Sequence, residues 1–76
     1  MTKEEFEIAY RAMSRRRPFR PFLIEFLSGA QQRIVHPEAL RSEPHFFVLR
    51  IPDGGFSVFT AAEVCRLFDQ PPSLPS

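Results

Sequence analysis

Residues 15–40 read RRRPFRPFLIEFLSGAQQRIVHPEAL, and the fold of the whole chain turns on how this stretch is parsed. Pro21 can begin a strand but donates nothing to a ladder, so extended structure is expected to start there. From that point the residues alternate, with Phe22, Ile24 and Phe26 on one side and Leu23, Glu25 and Leu27 on the other. The first set is the expected core face. Two leucines make the second set more apolar than a solvated face requires. Ser28-Gly29 is a turn pair of hairpin grade and predicts an antiparallel return over 31–36 with Ile34 inward. Pro37 stops that ladder. Pro37-Glu38-Ala39-Leu40 then reads as one helical turn, with Pro at the first position, where its missing N–H costs nothing.

Upstream, Thr2 followed by Glu5 forms a capping box and predicts a helix over residues 2–16. Phe6, Ala9, Tyr10 and Met13 fall on one stripe of that helix, acids occupy its first turn and arginines its last, and Pro18 is expected to end it. Downstream, the apolar run over 45–51 is too continuous for alternation to assign faces, so both are expected to be covered. Asp53-Gly54 is the strongest short hairpin signal in the chain, with Gly55 available for a bulge, and the return strand falls at 55–59. Thr60-Ala61-Ala62-Glu63 repeats the capping pattern. Either a closing helix over 61–68 follows, or a short turn and a fifth strand over 64–68. The second is preferred, because Val64, Cys65, Leu67 and Phe68 suit a strand and a fifth strand would close a small sheet and hide its edges. Residues 70–76 hold three prolines and two serines with only Leu74 to pack, and are expected to be a disordered tail. Their Pro72-Ser73-Leu74-Pro75 is formally a PxxP element.

The expected architecture is therefore α+β, mainly β: one domain over 1–69, with an N-terminal helix and a five-stranded antiparallel SH3-like barrel whose strands lie at about 21–28, 31–36, 45–51, 55–59 and 64–68. Seventy-six residues bury only about 60% of the surface of the unfolded chain, so a partner that covers more surface would help. The net charge of +1 excludes a general polycation, and any attraction to nucleic acid has to come from local clustering. Cys65 stands alone, which allows no internal disulfide or multi-cysteine metal site and favours a reducing, cytoplasmic setting. The N-terminal residues lack the apolar run of a secretion signal, and no stretch is long and apolar enough for a membrane-spanning helix.

Element order resembles that of the Sm-like small barrels. The residues before the last strand, Val58-Phe59-Thr60-Ala61-Ala62-Glu63, depart from the basic or glycine-containing segment an Sm-like RNA binder has there. Arg17-Pro18-Phe19-Arg20-Pro21-Phe22-Leu23-Ile24, then Ser28-Gly29, then Val35-His36-Pro37-Glu38 resemble, in order and spacing, a group of small bacterial proteins with an Arg-Pro-Phe-x-Pro-Phe-x-Ile segment and a Val-x-His-Pro-Glu segment. That resemblance spans Arg17 to Leu67 and brings no assigned activity. Leu23 and Leu27 replace residues that are usually more polar in the group, and the loop between the third and fourth strands is shorter.

Three surfaces are candidates for function. Arg11, Arg15, Arg16, Arg17 and Arg20 lie within ten residues free of acids, the composition of a phosphate-contacting patch, with Phe19 and Phe22 interleaved as base-stacking platforms would be. The competing use is a basic helix end that complements its dipole and pairs with nearby glutamates, with the phenylalanines in the core. His36 and Glu38 join an imidazole and a carboxylate across a fixed turn, where such a histidine more often caps the turn. Leu23, Leu27 and Phe47 are the expected protein-interface residues. No catalytic constellation, cofactor loop or metal set is expected: Cys65, His36 or His45, and Asp69 make a triad only on paper. The expected function is a noncatalytic binding module acting by protein contact, including contact with itself. The alternative is RNA or DNA binding through Arg15–Arg20.

Overall fold

Reciprocal capping starts the first element. The structure, a computed structural model, describes residues 1–70. Helix α1 runs Lys3–Ser14. Glu5 N–H donates to Thr2 Oγ1 at 3.1 Å and Thr2 N–H donates to Glu5 Oε1 at 2.8 Å, which satisfies two of the helix's orphan donors. These bonds from Thr2 hold the Glu5 carboxyl below its ordinary pKa. The helix stops two residues earlier than expected. Arg15 caps it by donating to Arg11 O, and Ser14 Oγ donates to Tyr10 O at 2.6 Å, so the last turn closes before Pro18 is reached.

Six strands follow: β1 Phe22–Phe26, β2 Gln31–Ile34, β3 Leu40–Ser42, β4 Phe47–Arg50, β5 Phe56–Phe59 and β6 Val64–Asp69. They form two three-stranded antiparallel sheets, ordered β2-β1-β6 and β3-β4-β5. The class is α+β as expected, but the described residues form six strands instead of five, and no closed barrel. Pro37 explains the extra strand. It interrupts the ladder after β2, the turn Pro37–Ala39 redirects the backbone, and Leu40–Ser42 resumes pairing in the second sheet, against β4. A matching one-turn helix, Ala61–Glu63, carries the chain back from β5 to β6. Thr60 N–H donates to Glu63 Oε2 at 2.6 Å there, so the repeated capping pattern marks a turn followed by a strand.

The two hairpins share one turn. Phe26 N–H donates to Ala30 O and Gly29 N–H to Phe26 O; Ile51 N–H donates to Gly55 O and Gly54 N–H to Ile51 O. Each is a three-residue loop ending on a glycine with positive φ, +93° at Gly29 and +108° at Gly54, a conformation that only glycine adopts without strain.

The core lies between the sheets and under the helix. Phe22, Ile24 and Ile34 enter from the first sheet, Phe47, Leu49 and Phe59 from the second, and Phe6 and Tyr10 from α1. The Phe6 ring lies 4.6 Å from Phe47 and 5.7 Å from Phe59, while Tyr10 meets the edge of Phe22 at 5.4 Å. Phase in β1 is therefore as expected at Phe22 and Ile24. Phe26 is only half-buried, against Phe59. A register shift at Glu25/Phe26 accounts for this: Glu25 faces Arg66 but Phe26 faces Val64, so Cys65 bulges out of the ladder. Cys65 is consequently exposed, although it lies in a strand otherwise rich in apolar residues. Among the described residues no helix is long and apolar enough to cross a membrane. Gln70 follows β6 outside any regular element, and the remainder of the expected tail, with its PxxP, lies outside the described residues.

Candidate functional site

The arginines that close α1 separate into one that is engaged and several that are not. Arg16 is pinned on three sides: its Nε donates to Met13 O at 3.3 Å, one terminal nitrogen donates to Arg20 O at 3.0 Å, and the other pairs with Asp69 at the end of β6. This ties the helix end, the lead into β1 and the last strand together. The hydrogen bond from Arg16, with the charges of Arg16 and Arg20, holds the Asp69 carboxyl below its usual range. Arg11, Arg15, Arg17 and Arg20 are exposed, and Arg17 reaches only the backbone carbonyls of Arg15 and Arg16. The aromatics interleaved with them are not free platforms: Phe22 is fully buried and Phe19 packs half-buried against it, ring centroids 6.2 Å apart.

At the His-Pro-Glu turn, His36 Nδ1 lies 3.7 Å from Glu38 Oε1, and both side chains are largely exposed. The chemistry nearest this turn is architectural. Tyr10 Oη donates to Pro37 O at 2.8 Å and so fastens α1 to the crossing between the sheets. Burial, and secondarily the Glu38 charge, raises the Tyr10 pKa, so its phenol stays a donor. Neither the His36 nor the Cys65 side chain is drawn into a constellation with Asp69, whose carboxylate Arg16 occupies. Among the described residues no cluster of three or more His, Cys, Asp or Glu could hold a metal ion.

The expected interface residues fare differently from one another. Leu27 is 70% exposed at the β1–β2 turn. Leu23 is half-buried on the outer face of its sheet, between Arg33 of β2 and Phe68 of β6. Phe47 is a correction: it is 1% exposed and sits in the core against Phe6 and Phe59, which leaves it no interface role. The residues missed are Phe56 and Val58 on β5, 70% and 63% exposed. Once Phe47 is inward, the register Phe47↔Phe59, Val48↔Val58, Arg50↔Phe56 turns Phe59 in and Phe56 and Val58 out. Alternation within Phe56-Ser57-Val58-Phe59 carries that signal, but its phase depends on the strand opposite.

Two open clefts of ≈ 490 Å³ flank β5. One runs between β5 and the tip of the first hairpin, with Phe26, Leu27, Gln31, Val58 and Ala62 among its walls. The other is lined by Arg33, His36, Arg50 and Phe56, and its charged lining is basic. Searches of family models, curated proteins and solved structures return no match to this chain.

Proposed function

We propose that this protein is a noncatalytic interaction module that works by protein–protein contact through the outer face and edge of the second sheet. The observation that carries the reading is the exposure of Phe56 and Val58 side by side on a four-residue strand, with Leu27 across the adjoining cleft. A chain of this size cannot afford large exposed apolar groups without use, and contiguous ones mark contact sites. Much of the charge is engaged internally, through Arg16 with Asp69, Arg41 with Glu43 and Arg66 with Glu25. An exposed, unpaired Cys65 thiol fits a reducing, cytoplasmic setting.

The barrel likeness enters on the same footing. If β2 and β3 are taken as two halves of one bent strand, the order becomes β6-β1-β2/β3-β4-β5, the sequence of neighbours in an SH3-like or Sm-like barrel. We group the chain with the small bacterial proteins that share its paired Pro-Phe steps and His-Pro-Glu segment. In this fold those segments launch β1 and receive the Tyr10 hydrogen bond.

Light scattering after size exclusion tests the reading. Mass should rise above that of a single chain as concentration increases, and fall back in the Phe56→Ser/Val58→Ser double variant. A strict monomer at every concentration, together with identical protein capture by parent and variant, overturns it. A second reading, RNA or DNA binding, is favoured by exposed Arg11, Arg15, Arg17 and Arg20 and by the basic cleft at Arg33 and Arg50. It requires affinity that falls steeply with salt and drops when those arginines become alanine.

A further inference from the structure

We infer that β5 pairs antiparallel with β5 of a second copy, in one register centred on Ser57; this deepens the interaction reading above and rests on it. The inference starts from the backbone. The bond from Ile51 N–H to Gly55 O makes 51/55 a hydrogen-bonded pair of the β4–β5 ladder. Alternation along the register then makes 49/57 and 47/59 hydrogen-bonded pairs too, and 50/56 and 48/58 non-hydrogen-bonded ones. The N–H and C=O groups of Phe56 and Val58 therefore point away from β4, toward the open edge. No described residue bonds to them. The residues with the exposed side chains are also those with unpaired backbone.

Among the described residues four strands end a sheet, and of these β5 alone offers this edge unguarded. β2 carries Arg33 on its free side, β3 is three residues long and contains Arg41, and β6 contains Arg66 and Asp69, with its start occupied by the Met1 amino group on Val64 O at 3.0 Å. Charges and shortness are the usual protections against edge pairing, and Phe56-Ser57-Val58-Phe59 has neither. Absence of charge also selects the occupant. A two-fold axis brings every residue near its own copy, which like charges oppose and an uncharged strand permits.

A two-fold axis at Ser57 pairs Phe56 with Val58 of the second copy and Val58 with its Phe56, which uses all four free backbone groups of each strand in four hydrogen bonds. Shifting the axis to Phe56 or to Val58 leaves part of that set unpaired within β5. The Ser57 register also lays each exposed phenylalanine beside an exposed valine, a favourable cross-strand pair, and yields a continuous six-stranded sheet. Ser57, Val58 and Phe59 form one wall of the cleft that faces the first hairpin, the space a second strand would enter.

Disulfide trapping tests the register in the full chain with Cys65→Ser as background. Opposed residues in a non-hydrogen-bonded pair have Cα atoms about 4.5 Å apart, within disulfide reach. Ser57→Cys should therefore form a covalent dimer on mild oxidation, much faster than Ser28→Cys in the exposed turn, which reports chance collision. Val58→Lys should keep the parent's circular dichroism while raising the dimer dissociation constant about tenfold. If the parent associates but Ser57→Cys cross-links no faster than Ser28→Cys, the edge pairing is wrong and the interaction reading survives. A parent that stays monomeric, with no Ser57→Cys cross-link, overturns the self-pairing inference outright.

Discussion

Hairpin β1–β2 turns through Leu27-Ser28-Gly29 and hairpin β4–β5 through Pro52-Asp53-Gly54, each closed by the same two backbone bonds onto a left-handed glycine. Their inner faces also match: Phe22, Ile24 and Ile34 in one, Phe47, Leu49 and Phe59 in the other, all buried. Their outer faces do not. Glu25 in the first accepts from Arg66 at 2.7 Å and from Gln31 at 3.3 Å, and Arg66 also stacks over Phe68 at 4.3 Å. The second presents Val48, Phe56 and Val58, with Arg50 at its rim. One template thus serves folding inwardly in both places, while outwardly one copy sets the Glu25–Arg66 pair beside Leu23 and the other lines up exposed Phe56 and Val58. The inner likeness is what a small two-sheet core demands. The outer difference has no folding purpose that the core reveals, and it is the basis for placing contact at β5.

The likeness can be broken most severely in the core. Phe22→Ala and Phe47→Ala should each cost about 3–5 kcal/mol, as truncating a fully buried Phe does, with urea midpoints shifted alike. A loss below about 1 kcal/mol at either site would show that the hairpins are unequal partners in folding. Phe26→Ala should cost less than both, because its ring is only half-buried.

Gly29→Ala and Gly54→Ala should each cost about 1–2 kcal/mol, the backbone penalty of a left-handed residue with a Cβ. Nothing lies within 4 Å of a Cβ added at either position, so the cost is conformational and the two values should agree. Thermal denaturation in parallel would reveal any difference between the turns.

On the outer faces smaller effects should diverge. Arg66→Ala removes the partner of Glu25 and should lower the midpoint slightly, by less at high salt. Val58→Thr should leave the folded monomer's stability nearly unchanged while weakening association. Acid sharpens the contrast last. The hydrogen bond from Arg66, then that from Gln31, lowers the Glu25 pKa, and Arg16 does the same for Asp69. A carboxyl with a depressed folded pKa stabilises the fold above its unfolded pKa and loses that contribution as pH falls through the folded value. Stability should decline modestly below about pH 4.5, and Glu25→Gln should flatten the decline. An unaltered profile in Glu25→Gln would mean that the pair does not persist in solution.

Legibility in the sequence followed the range of the interactions. The capping box at Thr2 and Glu5, the alternation from Phe22 and the two glycine turns are local, and the elements they predict are present. The crossing at Pro37 was visible, but the strand after it was not, because Leu40-Arg41-Ser42 is too short to show a period and is held by its pairing with β4. Phe47 looks available for an interface because 45–51 has no alternation to fix its phase; the aromatic cluster under α1 fixes it instead. The exposure of Cys65 is not legible in the sequence, because a bulge shifts the register by one residue, which reverses a side chain's face. Arg16 looked like its neighbours, and only the return of the chain 53 residues later, at Asp69, distinguishes it.

The hydrogen bond from Tyr10 to Pro37 has a practical side. Tyr10 is the only tyrosine and the chain has no tryptophan, so all of its tyrosine absorbance and near-ultraviolet fluorescence beyond phenylalanine comes from this one ring. That ring sits where the helix, the first sheet and the crossing meet. Its optical signal is therefore a built-in, label-free reporter of helix docking, and burial moves tyrosinate formation to a more alkaline pH than that of a free phenol.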